Sequence, residues 1–270
     1  MCMPVYLKGP PALPLRLLWT LWNLFLSLFS WAGAIRTVPH MYDTLSAHGF
    51  KYTVCTNPFD WYSDGPVGLW TGLFIFSKIP ELVDTVFLVL QKKPVIFLHW
   101  FHHTTVLVYC WHAFLSAVGP GLWFASMNYS VHSVMYLYYF LMSLRNPTVR
   151  KICKMFAPFI TSIQLLQMVV GGVVTFWGAY WTINEGTNNC HVDPANYKLG
   201  MAMYVSYFCL FAVLFYNLYL GGKKKATKKE TKEVKKDEED DKICGVVDAA
   251  GMFRGTSRVS PPRARTRRVE

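Results

Sequence analysis

Three histidines stand close together at the start of an apolar run, in the segment FLHWFHHTTVLVYC at residues 97–110. His99, His102 and His103 follow the spacing i, i+3 and i+4, so on a helix all three side chains project from one face. Imidazoles in this pattern can grip one metal ion, or one of them can act as a nucleophile or general base near neutral pH. The segment therefore predicts a reaction centre inside a helix that otherwise resembles a lipid-facing one.

Three further apolar runs carry polar side chains at steps of three or four residues, which keeps each set near one helical face. They are Lys78, Glu81 and Asp84 in SKIPELVDT; Asn128, His132 and Tyr136 in MNYSVHSVMYLYY; and Thr161, Gln164 and Gln167 in TSIQLLQ. One such stripe alone could be a salt-bridge cluster or a hydrogen-bonded contact between helices. Polar stripes on four consecutive helices instead predict a shared polar cavity, because ionisable groups within a membrane face the protein interior.

The elements that position these residues are membrane-spanning helices. The chain of 270 residues is 53% hydrophobic and 16% aromatic, with a mean hydropathy of +0.23. Six apolar windows are long enough to cross a bilayer, which takes about 20 helical residues: residues 13–35, 67–90, 97–116, 121–142, 156–181 and 199–220. We predict an all-α polytopic membrane domain over residues 1–220. Residues 221–270, rich in lysine, acidic residues, glycine and arginine, predict a disordered charged tail.

The net charge of +11 would suggest nucleic acid for a soluble protein, but its placement along this chain indicates membrane orientation. The basic residues that follow alternate windows are Lys92, Lys93, Arg145, Arg150, Lys151, Lys154 and the lysine cluster after Gly222. The positive-inside rule places these segments and both termini in the cytoplasm. A cleaved signal peptide ending near Ala32-Gly33-Ala34 is an alternative, although cleavage would invert this asymmetry.

Cys55 and Cys190 fall in the two large loops, residues 37–65 and 182–198, that are predicted to lie on the opposite side of the membrane. If that side is an oxidising lumen, the two thiols can pair. Topology alone leaves a disulfide and two free thiols equally open.

The HxxHH spacing also occurs in membrane di-iron desaturases and hydroxylases, which need about eight ligands on one side. This sequence has eight histidines, of which only His99, His102, His103 and His132 lie on the predicted cytoplasmic side. A single-ion site from these four, with Glu81 or Asp84, stays open, as does a transporter with a polar path. The bulky apolar segment VVGGVVTFWGAYW favours a blind tunnel over a path through the membrane, and a nucleophilic imidazole suits thioester chemistry.

The ordered set KIPELVDT, HWFHH, HSVMYLYY and TSIQLLQ closely resembles the signature boxes of the ELO family, the very-long-chain fatty acid elongases or 3-ketoacyl-CoA synthases. The resemblance runs from about Gly9 to Leu220. Tryptophan in HWFHH resembles the branch that acts on saturated and monounsaturated acyl groups, since the polyunsaturated branch tends to have valine there.

The resemblance implies an endoplasmic-reticulum enzyme that condenses acyl-CoA with malonyl-CoA and needs no metal or other cofactor. It implies seven helices, six of them around an acyl tunnel that opens to the cytoplasm and is closed at the lumenal end. The family's first, peripheral helix has no counterpart before Met1, and we expect the catalytic core to survive without it. Membrane lipid, other enzymes of the elongation cycle and a second copy of the chain are the further partners implied, with no nucleic acid.

The resemblance also implies roles for individual residues. His102 matches the proposed acyl acceptor and His132 matches its partner, with His99, His103 and Asn128 beside them. The remaining polar lining corresponds to Lys78, Glu81, Asp84, Tyr136, Gln164 and Gln167. Contacts to the CoA phosphates could come from Lys92, Lys93, Arg150, Lys151 and Lys154, although a purely topological role fits these residues equally well. Cys55 and Cys190 correspond to a lumenal cysteine pair in relatives.

Overall fold

A computed structural model of the chain describes residues 2–3, 15–144 and 146–220. Its helices are α1 Arg16–Cys55, α2 Gly65–Ser77, α3 Val83–Leu90, α4 Phe97–Leu115, α5 Gly121–Ser143, α6 Pro147–Glu185 and α7 Pro194–Phe215. Two short strands, β1 Cys2–Met3 and β2 Val95–Ile96, pair antiparallel, with Cys2 opposite Ile96. The predicted tail, residues 221–270, and Arg145 lie outside the described residues.

The predicted class, an all-α polytopic membrane protein, is confirmed. Three helical segments of the described chain are long and apolar enough to cross a membrane by length and composition: Arg16–Cys55, Pro147–Glu185 and Pro194–Leu220. The helices between them are α2 to α5, and these include the elements that bear most of the polar residues. Length and hydropathy therefore identify membrane spans least clearly in the part of the chain that bears most of the polar residues.

Two helices extend well past the predicted windows. The window at 13–35 becomes a helix that continues to Cys55, through Pro39 and a break at Gly49, whose φ is +81°. Glycine accommodates this left-handed backbone because it has no Cβ. Helix α6 likewise exceeds its window of 156–181 and covers Pro147–Glu185. The prediction that residues 37–65 form one long loop was wrong, since helix occupies most of that segment.

The predicted second span is not one continuous helix. Helix α2 ends at Ser77, a tight turn covers Pro80–Leu82, and α3 begins at Val83. Pro80 has no backbone N–H to donate and its ring clashes with the preceding turn, which interrupts helices. Lys78, Glu81 and Asp84 therefore lie at and around a break rather than along a regular helical stripe.

Close helix packing depends on small residues. Helix α1 lies along α5, where a Cβ added at Gly33 would stand 2.5 Å from the ring of Tyr129. Helix α6 lies along α7, where the ring of Tyr204 packs so closely on Gly171 that a Cβ at that position would clash with it. Glycine at such contacts lets aromatic side chains reach the neighbouring backbone.

We call the end of the bundle where α4 begins and α5 ends the near end, and the opposite end the far end. At the far end a disulfide joins Cys55, the last residue of α1, to Cys190, which precedes α7. Two backbone hydrogen bonds of 2.8 Å reinforce it: His191 N–H donates to Cys55 O, and Gly119 N–H donates to His191 O. These contacts fasten together the end of α1, the α4–α5 turn and the α6–α7 connection.

Candidate active site

A small chamber of about 90 Å³ lies toward the near end, between α3, α4, α5, α6 and α7. It is lined by nine of the residues that the sequence singled out: Asp84, His99, His102, His103, Asn128, His132, Tyr136, Gln164 and Gln167. Apolar and aromatic neighbours complete the wall, among them Ile96, Met135, Met168 and Phe211. The predicted polar cavity is therefore present in the structure, and residues from all four polar stripes line it.

Among the three histidines of α4, His103 lies against both of the others. The ring centroids of His99 and His103 are 4.5 Å apart, and those of His102 and His103 are 5.4 Å apart. His99 Nε2 lies 3.0 Å from the hydroxyl of Thr85 on α3. This contact occupies one nitrogen of His99, so His99 is held in place at the chamber wall.

His102 is enclosed by aromatic rings and keeps its imidazole nitrogens available. Its ring lies 4.8 Å from that of Tyr207 and 6.4 Å from that of Phe211, both on α7. The Tyr207 hydroxyl donates to the His102 backbone carbonyl at 3.2 Å and also pairs with the Thr105 hydroxyl. Among the hydrogen bonds of the described residues, none involves a ring nitrogen of His102, so a bound substrate would meet an uncommitted imidazole.

On α5, His132 is tied to a buried polar chain. The Asn128 side-chain amide lies 3.0 Å from His132 Nε2, and Lys78 Nζ donates to Asn128 Oδ1 at 2.9 Å. Lys78 Nζ also donates to Glu81 Oε1 at 2.7 Å. Lys78 and Glu81 are 2% and 4% exposed, yet neither lines the chamber. Their predicted role as chamber lining does not match this placement: they lie behind Asn128.

Asp84 anchors three helices at the chamber wall. Its two carboxylate oxygens accept hydrogen bonds from the Trp22 indole N–H at 2.6 Å and from the Tyr136 hydroxyl at 3.0 Å. Trp22 is on α1 and Tyr136 is on α5. A buried carboxylate that accepts two hydrogen bonds is compensated for its loss of water, so Asp84 joins the chamber to the long first helix.

The glutamines of α6 close the opposite wall of the chamber. Gln164 Nε2 lies 3.2 Å from Met135 Sδ, and Gln167 borders both the chamber and a cavity behind it. Thr161, which belongs to the same sequence stripe, lies 3.4 Å from the hydroxyl of Tyr219, and it is not a lining residue.

The chamber continues into the protein through two more cavities. A middle cavity of about 40 Å³ shares His102, Asn128, Gln167 and Met168 with the chamber. A far cavity of about 350 Å³ then shares Phe74, Tyr109, Cys110 and Phe124 with the middle one. Shared lining residues place the three spaces side by side, so a row of largely apolar cavities extends from the histidines toward the far end.

The far cavity is bounded by loops of the far end. Its lining includes Pro58 and Tyr62 before α2, and Val118 and Gly121 at the α4–α5 turn. The Tyr62 hydroxyl donates to the Val118 carbonyl at 2.8 Å, and burial raises the pKa of Tyr62 well above its usual value. Tyr62 therefore stays neutral and keeps this contact as a hydrogen-bond donor.

The predicted CoA-binding residues lie at the near end of the bundle. Lys92 and Lys93 connect α3 to β2, while Arg150, Lys151 and Lys154 occupy the first turns of α6. Lys92, Lys151 and Lys154 are exposed, so these three can meet a soluble phosphate.

Several residues at the site escaped sequence reasoning. Trp22, Thr85 and Tyr207 have no spacing relation to the histidine box, and with 15 tyrosines and 10 tryptophans in the chain their types alone do not mark them. Cys110 lies seven residues, about two helical turns, after His103, and this spacing could have placed it on the same face.

A metal site is not evident from the side-chain geometry of the described residues. No group of three or more His, Cys, Asp or Glu side chains among them is arranged to hold an ion.

The sequence of the chain is similar to those of known fatty acid elongases. The profile of the ELO family, described as the GNS1/SUR4 family, matches residues 2–229. The chain is 49% identical over 214 residues to a Trypanosoma cruzi protein named very long chain fatty acid elongase 4, covering 79% of this chain and 73% of the relative. It is 43% identical over 243 residues to fatty acid elongase 3 of Trypanosoma brucei brucei, with 82% and 79% covered. A Drosophila melanogaster protein named very long chain fatty acid elongase 6 is 43% identical over 222 residues, with 81% and 68% covered.

Proposed function

The chain belongs to the ELO family, described as the GNS1/SUR4 family, and on that premise we propose that it is the condensing enzyme of fatty acid elongation. The reaction is acyl-CoA with malonyl-CoA, giving a 3-oxoacyl-CoA two carbons longer, CO2 and CoA. The enzyme is a multi-pass membrane protein, and long-chain acyl-CoA, malonyl-CoA and membrane lipid are its molecular context.

One observation carries the proposal: four histidines from two helices meet at one end of a row of largely apolar cavities. His99, His102 and His103 come from α4 and His132 from α5, and all line the chamber that leads to the far cavity. A fatty chain can lie in the apolar cavities while its thioester stays at the imidazoles. That arrangement suits acyl transfer.

In the first half-reaction His102 acts as the nucleophile. An imidazole nitrogen attacks the thioester carbon of acyl-CoA, the carbon–sulfur bond breaks, and CoA leaves with the proton lost by the imidazole. The product is an acyl-imidazole, a covalent intermediate that splits one difficult step into two. The uncommitted ring of His102 and its place at the mouth of the middle cavity support this assignment.

In the second half-reaction malonyl-CoA replaces the released CoA. Its carbon–carboxylate bond breaks, CO2 leaves, and the electron pair forms a bond to the acyl carbon. The carbon–nitrogen bond to His102 then breaks, and the imidazole is regenerated by taking up one proton from water. Negative charge develops on the acyl oxygen, and His132, which Asn128 contacts, is the nearby polar group that can stabilise it.

The proposed setting is the endoplasmic-reticulum membrane, with the near end and the C-terminus in the cytoplasm. The basic near-end residues support this orientation, because positive charge is retained on the cytoplasmic side. Exposed Lys92, Lys151 and Lys154 could also attract the CoA phosphates there. In this orientation Cys55 and Cys190 lie on the lumenal side, where disulfides persist.

The test is a condensation assay on the whole chain in microsomes or lipid nanodiscs. Malonyl-CoA labelled at the carbon that is retained is supplied with a panel of acyl-CoAs, and labelled 3-oxoacyl-CoA is measured with and without a metal chelator. We expect labelled product in both cases. Membrane-inserted protein that transfers no label to any acyl-CoA would overturn the proposed reaction, and loss of product on chelation would overturn a metal-free mechanism.

A further inference from the structure

Behind the chamber lies a buried ion pair that the proposed chemistry does not use directly. Lys78 and Glu81 are nearly inaccessible and touch no chamber space, yet Lys78 reaches across from the α2–α3 break to Asn128 on α5. A buried ion pair costs desolvation free energy unless its geometry is well satisfied. The hydrogen bond from Lys78 to Asn128 connects this pair to the chamber, because Asn128 lines it.

We propose that the Lys78–Glu81 pair fixes the orientation of the Asn128 amide and thereby holds His132 as a neutral imidazole protonated at Nδ1. In this form His132 donates a hydrogen bond to the acyl oxygen and does not act as the proton acceptor. Lys78, Glu81 and Asn128 are then positioning residues. The consequence for catalysis rests on the proposed function, whereas the protonation pattern of His132 does not.

The first step follows from the chemistry of an ammonium group, which donates three hydrogen bonds and accepts none. The atom of Asn128 that lies 2.9 Å from Lys78 Nζ must therefore be the amide oxygen. An asparagine amide that could otherwise rotate by a half-turn is fixed in one orientation.

The second step is that the orientation of the Asn128 amide determines which ring nitrogen of His132 carries the proton. With its oxygen facing Lys78, Asn128 presents its NH2 group to His132 Nε2 at 3.0 Å. An NH2 group only donates, so Nε2 must carry a lone pair and the ring proton must be on Nδ1. An imidazolium would place two donors against each other, so the same contact also disfavours the charged ring.

Glu81 fixes the position of the Lys78 ammonium group. Its Oε1 accepts from Lys78 at 2.7 Å and from the Ser77 hydroxyl at 3.1 Å. Without the carboxylate, the lysine side chain would lose the partner that holds its Nζ atom 2.9 Å from Asn128 Oδ1. The orientation of Asn128 would no longer be determined. Lys78 and Glu81 thus act together to fix the orientation of the Asn128 side-chain amide.

The last step concerns the chamber. His132 lines it, and with Nε2 engaged by Asn128 the only polar ring atom left for a ligand is the Nδ1–H group. Among the hydrogen bonds of the described residues, none uses that Nδ1 atom. A neutral imidazole held as a donor can stabilise a developing oxyanion without first losing a proton.

The experiment measures the ring nitrogens directly, by nitrogen NMR of the full chain labelled with ¹⁵N-histidine in nanodiscs. The His132 signals are assigned as those lost in a His132→Gln variant. We expect a protonated Nδ1 and an unprotonated Nε2 in the unaltered protein. A protonated Nε2 would overturn the proposal, whether or not the enzyme elongates fatty acids.

Asn128→Asp inverts the polarity while keeping the shape of the side chain. A carboxylate accepts from Lys78 and also from His132, so the ring proton should move to Nε2. Lys78→Met should give a mixture of both tautomers, because the amide is then free to turn. Asn184→Asp, at an exposed residue of α6, is the matched control and should leave the His132 signals unchanged. A His132 spectrum that Asn128→Asp leaves unaltered would show that Asn128 does not set the position of the ring proton.

Kinetics separate a positioning role from a merely structural one. Asn128→Asp should lower kcat by roughly 10²- to 10³-fold, the usual cost of removing one oxyanion donor, with KM for acyl-CoA within about twofold of the original. A variant that shifts the proton to Nε2 yet keeps its kcat would show that His132 does not act as the donor. If the unaltered chain instead shows the expected tautomer but forms no 3-oxoacyl-CoA, the proposed reaction is wrong, whereas the proposed control of His132 by Lys78, Glu81 and Asn128 is supported.

Discussion

Lys78 and Glu81 form an ion pair of 2.7 Å at the break in the second helical segment, with side chains only 1% and 5% exposed. Another lysine pairs at the surface: Lys51 lies 2.6 Å from Glu185, with side chains 49% and 35% exposed. The two pairs share residue types and distance and differ in burial. They therefore provide a matched comparison within one chain.

Removal of the buried cation should destabilise the protein far more than removal of the exposed one. Lys78→Met leaves the Glu81 carboxylate buried without its partner, which typically costs about 3–5 kcal/mol. Lys51→Met removes a solvent-screened pair that is worth about 0–1 kcal/mol. The thermal unfolding midpoint in one detergent checks both variants, and equal shifts would contradict the burial argument.

His102→Ala should abolish formation of the covalent intermediate. Incubation of the purified protein with acyl-CoA alone should add one acyl group to the unaltered chain, visible by intact-protein mass spectrometry, and none to the variant. His48→Ala is the control, because His48 is exposed and stacks on Tyr52 at the far end. An acyl adduct on the His102→Ala protein would show that another residue accepts the chain.

Cys110→Trp should shorten the acyl chains that the enzyme accepts. Cys110 lines both the middle and the far cavity, so a larger side chain there obstructs the passage between them. Each methylene kept out of an apolar site costs about 0.8 kcal/mol, so exclusion of two or three lowers kcat/KM for the longest substrates roughly 15- to 60-fold.

The measurement is kcat/KM across a series of acyl-CoAs of increasing length. The shortest substrates should be elongated at nearly the original rate, which separates a blocked passage from a damaged catalytic centre. Cys209→Trp adds the same bulk at an exposed residue of α7 and should leave the series unchanged. A uniform loss over all chain lengths would count against the passage.

Cys55→Ala should lower stability without touching the chamber. The bond links residues separated by 135 positions, and loss of a native disulfide typically costs about 2–5 kcal/mol. We expect a lower thermal midpoint for the variant, and a similar drop when the unaltered protein is reduced. Cys209→Ala serves as the control. An added reductant that lowers the Cys55→Ala midpoint further would mean that another bond is responsible.

Sequence periodicity predicted the helices and the convergence of the polar stripes. Each of the six apolar windows overlaps helix in the structure, because long apolar runs leave few alternatives to helix in a membrane. The spacing of His99, His102 and His103 was enough to place them on one face, and the chamber contains all three.

The same reasoning failed where local chemistry overrides periodicity. Steps of three residues suggested that Lys78, Glu81 and Asp84 share a helical face, but Pro80 breaks the helix between them. Contacts such as Trp22 with Asp84 join residues 62 positions apart and depend on how helices pack, which a single sequence does not encode locally. The cavities depend on side-chain packing in the same way.

The covalent link at the far end also constrains how the molecule is built. Cys55 is the last residue of the first helix, whereas Cys190 follows α6, so five more helices must be synthesised before the second thiol becomes available. Until then the end of α1 can be held to its neighbours only by noncovalent contacts. The covalent closure of this fold therefore has to wait for residue 190, and it takes place at the end of the bundle opposite to the histidines.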